Sequence, residues 1–300
     1  MDGILPLFKE RNMTSNDAVI KCRRIFKTKR VGHSGTLDPN VDGVLPICIG
    51  KATKVVNYLM ESGKKYRGQV TLGFATTTED LDGEIVSKSL IEKPFSDSEI
   101  QKVMDSMTGN IVQIPPMYSA VKVNGKRLYE YARAGETVER PQRHVNIKSF
   151  KMIGESEFDE NQGLQKINFE VECSKGTYVR TLAVDLGKKL GVSAVMSDLT
   201  RLQSGGFDLS QTISLSELEN ADNLEDKLFP ISYALKGLDS ISLTDFQWKI
   251  VKNGGFLQPK YLKKSSPVIV LNYKNKTRAV YKFDEDKKVY KPQTMIDLTD

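Results

Sequence analysis

The sequence is poor in the residues that build disulfide frameworks and zinc sites. Its 300 residues include three widely separated cysteines, two histidines and one tryptophan. An odd number of distant cysteines excludes a disulfide scaffold, and a zinc ion would find almost no ligands. Any catalysis is therefore expected to proceed without a transition metal.

Long hydrophobic runs and nucleotide-binding fingerprints are also missing. No apolar run is long enough to cross a bilayer, and the N-terminal "MDGILPLFKERN" lacks the basic-then-apolar layout of a secretory signal. We expect a cytoplasmic protein with no membrane association. Neither G-x-x-x-x-G-K-[ST] nor G-x-G-x-x-G occurs, which argues against nucleoside triphosphate and dinucleotide sites.

Positive charge is concentrated in one short stretch. Lysine and arginine exceed aspartate and glutamate by 44 to 38, a net charge of +6. The segment "KCRRIFKTKR" (residues 21–30) holds six of these bases and no acid. Such a cluster of positive charge could bind a polyanion such as nucleic acid, but it is equally typical of a solvated helix face.

Helix and strand patterns alternate along the chain. "TSNDAVIKCRRIF" predicts a helix with Thr14, Ser15 and Asn16 as N-cap candidates. "KKYRGQVTLG" and "INFEVEC" predict strands with one buried face. "GTYVRTLAVDLGKKLG" predicts another helix, with Thr177 as its candidate N-cap. These patterns predict an α+β fold with a mixed, mostly antiparallel central sheet flanked by helices and loops.

The pattern of the sequence changes near residue 235, where short β patterns begin. The segments "SPVIVLNY", "TRAVYKF" and "KKVYKP" are short β patterns joined by lysine-rich connections. We therefore expect a catalytic or binding domain over residues 1–234 and a small C-terminal β domain over residues 235–300.

The segment "GTLDPNVDG" (residues 35–43) concentrates turn residues and two aspartates. It begins like a calcium loop, but the twelfth position counted from Asp38 is Ile49, where a bidentate glutamate is required. Pro39 forces Asp38 out of helical geometry, and glycines let a backbone approach a ligand closely. The segment taken alone predicts either a turn or a loop that presents a carboxylate.

Five blocks together resemble one enzyme family. In order they are "GHSGTLDPNVDGVLPICIGKATK", "KKYRGQVTLG", "TTTEDLDG", "QIPPMYSAVKVNGKRLYEYAR" and "CSKGTYVRTLAVDLG", all within residues 1–205. They are similar to the motifs of the bacterial tRNA pseudouridine-55 synthases, the TruB-type family. The C-terminal part resembles the small PUA-like β domain that many members carry.

The resemblance implies a pseudouridine synthase fold and an isomerase that converts the T-loop uridine of tRNA to pseudouridine without metal or cofactor. It implies Asp38, Tyr66 and Arg180 as catalytic residues. The positions implied to bind RNA or line the pocket are Lys9, His33, Lys54, Asp80, Tyr178 and Leu199. The expected partner is the T-arm stem-loop of tRNA, bound by a monomer.

The chain departs from the family pattern near its N-terminus. "FKERNMTS" stands where members usually show a "DKP-x-G-x-T-S" stretch, so Glu10 and Asn12 replace a proline and a glycine. Lys9 and Thr14–Ser15 are retained. The change raises the question of how firmly this segment packs beneath the loop that carries Asp38.

The implied mechanism assigns a role to each catalytic side chain. A stacked T-loop uridine must be flipped out before it reacts, and His33 is the candidate for filling the vacated space. Arg180 is expected to pair with Asp38 and keep it ionised. Asp38 could act at C1′, on the base or on the 2′ proton. Tyr66 is expected to stack on the base and assist loss of the C5 proton.

Two other function classes fit parts of the sequence. A non-catalytic RNA-binding module would use the same basic stretch and aromatic residues. A glycoside hydrolase would pair Asp38 with Asp42 or Asp80. The single tryptophan, Trp248, argues against a sugar-stacking site.

Overall fold

The computed structural model describes residues 1–262 and 266–299. Its strands, in chain order, are β1 Gly3–Lys9, β2 Val31–His33, β3 Asp42–Ile49, β4 Lys64–Leu72, β5 Phe74–Thr76, β6 Ile85–Lys88, β7 Gly109–Gln113, β8 Lys122–Val123, β9 Lys126–Arg127, β10 Arg143–Met152, β11 Glu157–Asp159, β12 Leu164–Cys173, β13 Ala194–Ser204, β14 Phe207–Asp208, β15 Asp239–Ser242, β16 Val268–Tyr273, β17 Lys276–Asp284 and β18 Val289–Met295. Its α-helices are α1 Ser15–Ile25, α2 Val56–Glu61, α3 Asp97–Asp105, α4 Leu128–Arg133, α5 Val179–Leu190, α6 Leu215–Glu219 and α7 Asp245–Lys252. Short 3₁₀ turns cover Gly50–Val55, Leu209–Gln211, Glu225–Lys227, Ile231–Leu235 and Pro259–Tyr261.

The chain forms two compact units, each built from separate stretches of sequence. The first unit comprises Met1–Asn40, Val44–Glu61 and Ser204–Asp300, and the second comprises Val41–Gly43 and Ser62–Gln203. The predicted domain boundary at residue 235 falls inside the last stretch of the first unit, and that boundary stays a prediction.

The second unit is organised around an antiparallel sheet. Its strand order is β13-β4-β12-β10-β7, with β11 added to β12. On β4 the side chains of Tyr66, Val70 and Leu72 are buried and Gly68 lies on the same face, as predicted, but Thr71 on the opposite face is also buried. The α+β class and the mostly antiparallel sheet are thereby confirmed.

Helix α5 begins one residue later than its predicted cap. Tyr178 is the N-cap residue, and its backbone N–H donates to the side-chain amide oxygen of Gln113 at 3.0 Å. The Thr177 hydroxyl instead donates to the Ser174 carbonyl at 3.0 Å. The prediction of Thr177 as N-cap is wrong because a distant glutamine satisfies this helix end.

Helix α1 begins as its sequence predicts. Thr14 caps it, accepting from the backbone of Asp17, whose carboxylate accepts in turn from the Thr14 backbone N–H. Ala18, Val19 and Cys22 are buried on one face. The bases on and after this helix are exposed: Lys21, Arg23, Arg24, Lys27, Lys29 and Arg30.

The first unit has two apolar cores. One joins β1, β3, the 50–61 region and the C-terminal sheet through Ile4, Val44, Val55, Val280 and Ile296, all buried. The other lies between helix α7 and the sheet β15-β16-β17-β18, which confirms the predicted small C-terminal β structure. A hydrophobic contact of this kind is the main source of stability for short elements.

The C-terminal segment of the first unit is held by charges. The Asp297 carboxylate accepts from the Lys51 ammonium at 2.8 Å and from the Thr299 hydroxyl at 2.7 Å. Arg278, almost fully buried, places a guanidinium nitrogen 3.7 Å from the same carboxylate. Burial alone would raise the pKa of Asp297, but hydrogen bonds from Lys51 and Thr299 outweigh burial and lower the pKa to about 2.

This cluster predicts a pH-dependent stability. Because the pKa of Asp297 is lower in the folded than in the unfolded chain, its stabilisation is complete above pH 4 and is lost as the pH falls towards 2. We expect about 2 kcal/mol of unfolding free energy to disappear over that range. Urea unfolding of the wild type and of Asp297→Asn across this pH range measures the loss of unfolding free energy. An Asp297→Asn protein as acid-sensitive as the wild type would contradict the assignment.

Within residues 1–262 and 266–299, no helix combines the length and apolar character needed to span a bilayer.

Candidate active site

Asp38 lies in the loop between β2 and β3, in the first unit. The preceding residue, Leu37, is buried and exchanges two hydrogen bonds with Ser15: its N–H donates to the hydroxyl at 2.8 Å, and its carbonyl accepts from it at 3.2 Å. Asp38 itself is half-buried. The start of helix α1 therefore fixes the backbone immediately before the predicted catalytic carboxylate.

Lys9 fixes the backbone immediately after it. The side chain is fully buried, and its ammonium donates to the carbonyls of Glu10 (2.9 Å), Met13 (2.7 Å) and Pro39 (3.1 Å). Glu10 and Asn12 are exposed. The departure from the family pattern therefore faces outwards, and Lys9 still ties this segment to the Asp38 loop. A direct contact of Lys9 with RNA stays a prediction.

Replacing Lys9 by methionine is expected to destabilise the first unit by about 2–3 kcal/mol. The change keeps the stem but leaves three carbonyls without their donor, and partly buried polar groups without partners are costly. Urea unfolding measures the loss. Lys54→Met is the matched control, since Lys54 is exposed and donates one hydrogen bond, to Ile296, at 3.1 Å. Equal losses in the two variants would contradict the role of Lys9.

His33 lies at the end of β2 and is half-buried. Its Nδ1 accepts a hydrogen bond from the Gly35 backbone N–H at 3.2 Å. This bond assigns the proton of the neutral ring to Nε2 and sets the ring orientation. Lys54, in contrast, contacts the C-terminal segment at Ile296.

The end of the "GTLDPNVDG" segment enters the second unit. Asp42 and Gly43 pair in parallel with Thr200 and Arg201 of β13, and Asp42 accepts from the Thr200 hydroxyl at 2.6 Å. A methyl group on Gly43 would lie 2.2 Å from the Arg201 carbonyl oxygen, and φ there is +112°. Gly43 is therefore required for a backbone-to-backbone contact rather than for ligand approach.

Tyr66 is the predicted catalytic residue on β4. Its side chain is 6% exposed, and its cross-strand partner on β13 is Arg201, which is fully buried. The Arg201 guanidinium donates a hydrogen bond to the Tyr66 phenol oxygen. Two residues along, Leu199 pairs with Gly68, where a methyl group would lie 2.9 Å from a Leu199 methyl carbon. Tyr66 and Leu199 thus belong to one surface of the second unit.

Arg180 lies in the first turn of α5 and is buried. Its guanidinium donates to the carbonyls of Thr78 at 2.9 Å and Tyr118 at 3.0 Å, and lies 3.4 Å from an Asp80 carboxylate oxygen. Asp80 also accepts from the Thr78 hydroxyl at 2.5 Å. The structure therefore brings two predicted site residues together as an ion pair. The predicted pairing of Arg180 with Asp38 stays a prediction.

Glu79 anchors the same loop to α5. It adopts a left-handed conformation, with φ of 67°, and its carboxylate accepts from the Thr181 hydroxyl at 2.8 Å. Burial raises the pKa of Glu79, while the Thr181 hydrogen bond and the Arg180 charge act in the opposite direction. A strained residue between two groups that hold Arg180 is typical of a loop shaped for function.

Tyr178 is fixed through its backbone. Gln113 accepts from its N–H at 3.0 Å and donates to its carbonyl at 3.2 Å. The Tyr178 side chain is half-buried. The double contact orients the start of α5, on which Arg180 lies two residues later.

Sequence reasoning missed several side chains of this site. Gln113 and Glu79 gave no signal, because their partners lie far away in sequence. Arg201 did give one: it is a cation in the middle of the strand pattern "LTRLQ", where a buried position normally holds an apolar residue.

The described part of the chain, residues 1–262 and 266–299, contains no group of three histidine, cysteine, aspartate or glutamate side chains that could hold a metal ion.

Known proteins resemble this chain along its whole length. A 61% identical protein from Ligilactobacillus salivarius (strain UCC118), covering 100% of both chains, is named tRNA pseudouridine synthase B. A protein of the same name from Levilactobacillus brevis (strain ATCC 367) is 56% identical, over 98% of this chain and 99% of its own.

Solved structures share the fold. An H/ACA RNP bound to a substrate RNA containing 2′-deoxyuridine includes a chain that superimposes with a TM-score of 0.71 at 21% identity, covering 98% of this chain and 85% of that one. A Cbf5-Nop10-Gar1 complex gives a TM-score of 0.70 at 24% identity, covering 99% and 84%. At such identities the likeness shows the fold alone.

Two family models divide the chain between them. The model of the TruB family pseudouridylate synthase N-terminal domain matches residues 23–179, and that of the tRNA pseudouridylate synthase B C-terminal domain matches residues 180–238. These matches agree with the relatives named above, which are more than 50% identical to this chain over nearly their full length. The chain belongs to the TruB family of pseudouridylate synthases.

Proposed function

We propose that Asp38, Tyr66 and Arg180 carry out the isomerisation of the T-loop uridine of tRNA to pseudouridine. The chain is a tRNA pseudouridine synthase of the uridine-55 type, and one observation carries this activity: 61% identity over the full length of a relative of that name. The reaction breaks the C1′–N1 bond, turns the base and rejoins it through C5.

The contacts of Arg180 support its catalytic role. A guanidinium held by two carbonyls and a carboxylate keeps a fixed position and a permanent charge in a buried place. We assign to it the stabilisation of the ionised Asp38. Asp38 precedes Asp42 by only four residues, and Asp42 is bonded to the strand that carries Leu199.

Tyr66 and the remaining site residues act on the flipped nucleotide. A buried phenol on a rigid strand provides a stacking surface for the uracil and a polar group for the C5 proton. His33 takes the space that the base vacates. Lys9, Lys54, Asp80, Tyr178 and Leu199 complete the proposed pocket and RNA contacts, Lys9 by holding the Asp38 loop.

The partner is tRNA, bound through its T-arm. Six exposed bases within residues 21–30 supply positive charge for phosphates without reading sequence, while recognition rests on the shape of the arm and its splayed bases. A monomeric state and a cytoplasmic location remain predictions from the sequence.

The two rival classes fit the contacts less well. A glycoside hydrolase needs a second carboxyl group that faces the scissile bond, yet Asp42 accepts from the Thr200 hydroxyl and Asp80 lies against the Arg180 guanidinium. A module that only binds RNA gains nothing from a loop fixed on both sides of an acidic residue.

Release of tritium from tRNA that carries 5-tritiated uridine tests the proposal. Forming the C5–C1′ bond expels the C5 hydrogen, so we expect close to one tritium released per tRNA. Neither a glycoside hydrolase nor a passive binder exchanges this hydrogen. Binding without release would contradict the proposed function.

A further inference from the structure

Arg201 is the most deeply buried cation of the second unit's central sheet. It lies in the middle of β13 with no exposed surface, between half-buried Thr200 and Leu202. Burying a guanidinium costs several kcal/mol of lost hydration unless partners compensate. An apolar residue would serve packing better at this position, so the cation needs another explanation.

Its neighbours include the catalytic tyrosine. Arg201 and Tyr66 are direct cross-strand partners between β13 and β4, and the guanidinium donates to the phenol oxygen. Cys173 of β12 lies close enough to act electrostatically on the same cation. The register of two long antiparallel strands therefore fixes this pair, and neither side chain depends on a mobile loop.

A donor of this kind changes what the phenol can do. An unperturbed tyrosine has a pKa near 10, so its phenolate is scarce at neutral pH. A cation that donates a hydrogen bond to the oxygen stabilises the phenolate more than the phenol. It also fixes the plane of the ring and the lone pair left for a second interaction.

We propose that Arg201 is a positioning residue that orients the Tyr66 phenol and favours its phenolate form, so that Tyr66 can take the C5 proton. This inference rests on the proposed function of Tyr66. After the C5–C1′ bond forms, the phenolate oxygen takes the proton from C5. The C–H electron pair restores the C5=C6 bond, and the C6=N1 pair moves to N1. N1 then takes one proton from the phenol or from water, so no proton is gained or lost overall.

Other charged or titratable groups lie near this pair. Burial raises the pKa of Cys173 to about 11, so the thiol stays neutral. Burial lowers the pKa of Arg201 and the Tyr66 phenol opposes that shift, but an arginine side chain stays protonated in proteins. Lys64 on β4 and Glu172 on β12 act electrostatically on Cys173, and Asp42 on β3 is the strand partner of Thr200, next to Arg201. Of the groups in and around the pair, the phenol is the one whose state the proposal requires to change.

The first measurement reads the ionisation of Tyr66 without any need for activity. The difference in ultraviolet phenolate absorbance between the wild type and Tyr66→Phe gives the pKa of Tyr66 alone. The difference in absorbance between Arg201→Met and the double variant Arg201→Met/Tyr66→Phe gives the pKa of Tyr66 in the absence of the guanidinium. We expect the pKa of Tyr66 to be below 10 in the wild type and about 1–3 units higher without Arg201.

The second measurement is the pH profile of single-turnover tritium release. Arg201→Met should shift the rising limb of the profile by the same interval towards alkaline pH, and the rate at neutral pH should fall at least about tenfold. Arg201→Lys keeps a charge and should show a smaller shift. If Arg201→Met does not fold, both measurements are made instead on Arg201→Lys and on the double variant Arg201→Lys/Tyr66→Phe.

Thr71→Val is the matched structural control. The Thr71 hydroxyl donates to Ser197 at 2.9 Å, so this variant also removes a buried hydrogen bond between β4 and β13. It should lower stability without moving the pH profile. A profile that moves as far in Thr71→Val as in the Arg201 variants would overturn the inference.

The outcomes separate the inference from the function on which it rests. Wild-type tritium release by Tyr66→Phe would show that the proposed function of Tyr66 is wrong. Loss of release by Tyr66→Phe, with an unchanged Tyr66 pKa and pH profile in the Arg201 variants, would overturn the role of Arg201 alone.

Discussion

Asp38→Asn is expected to lower tritium release from tRNA at least about a thousandfold, which corresponds to about 4 kcal/mol of lost transition-state stabilisation. Asparagine matches aspartate in size but cannot carry the negative charge that each possible action of Asp38 requires. RNA affinity should stay within about threefold of the wild type, because the substitution removes no contact with phosphate. Single-turnover kinetics and filter binding on the same preparation measure the two effects.

Asp42→Asn is the matched control for this prediction. It makes the same chemical change four residues later in the same segment, where Asp42 accepts from Thr200. Asparagine keeps an acceptor oxygen for Thr200 but removes the charge from the hydrogen bond, so stability should fall by at most about 1 kcal/mol, while turnover stays within about tenfold of the wild type. Full turnover by Asp38→Asn, or equal loss in both variants, would remove Asp38 from its catalytic role.

Arg180→Lys is expected to lower turnover at least about a hundredfold, or about 2.7 kcal/mol. The guanidinium reaches the carbonyls of Thr78 and Tyr118 and the Asp80 carboxylate at once. A lysine ammonium is a compact point charge on a flexible stem, and its donors cannot reproduce the planar fork that reaches all three acceptors. The loss should fall on the chemical step, measured at saturating tRNA, more than on binding.

Arg140→Lys serves as the control for Arg180. Arg140 belongs to the same unit, is half-buried and donates one hydrogen bond, to the Pro115 carbonyl, at 3.0 Å. We expect its turnover at saturating tRNA to stay close to the wild-type value. Normal activity of Arg180→Lys would show that catalysis does not need the planar guanidinium of Arg180.

Local features of the fold follow from the sequence because short-range rules decide them. The start of α1 at Thr14 and the buried face of β4 follow from patterns within a few residues, and the structure confirms both. Thr177 fails as a cap for the opposite reason. Gln113, 65 residues away, accepts from the Tyr178 backbone N–H, and the N-cap position falls on Tyr178.

Long-range partners could not be read from local patterns. The pairing of Arg180 with Asp80 depends on where helix α5 meets a distant loop. The pairing of Arg201 with Tyr66 depends on strand register, which periodicity does not encode. The glycines of "GTLDPNVDG" show the same limit. The sequence indicated close approach, but only the structure shows that Gly43 meets the backbone of Arg201.

The division of the chain into units is also a long-range property. Strands β15 to β18 form the predicted β structure, yet Val280 and Ile296 share a core with Ile4 and Val55 from the start of the chain. The change in sequence pattern near residue 235 reflects local composition, whereas a hydrophobic core is assembled from segments that are distant in sequence.

Chemical mapping of pseudouridine in an unmodified tRNA transcript tests the central claim most directly. Carbodiimide labelling followed by reverse transcription locates each pseudouridine by the stop that it causes. We predict one new stop, at the T-loop uridine, after incubation with the wild type and none after incubation with Asp38→Asn. A transcript without that stop, or one converted equally by Asp38→Asn, would contradict the account.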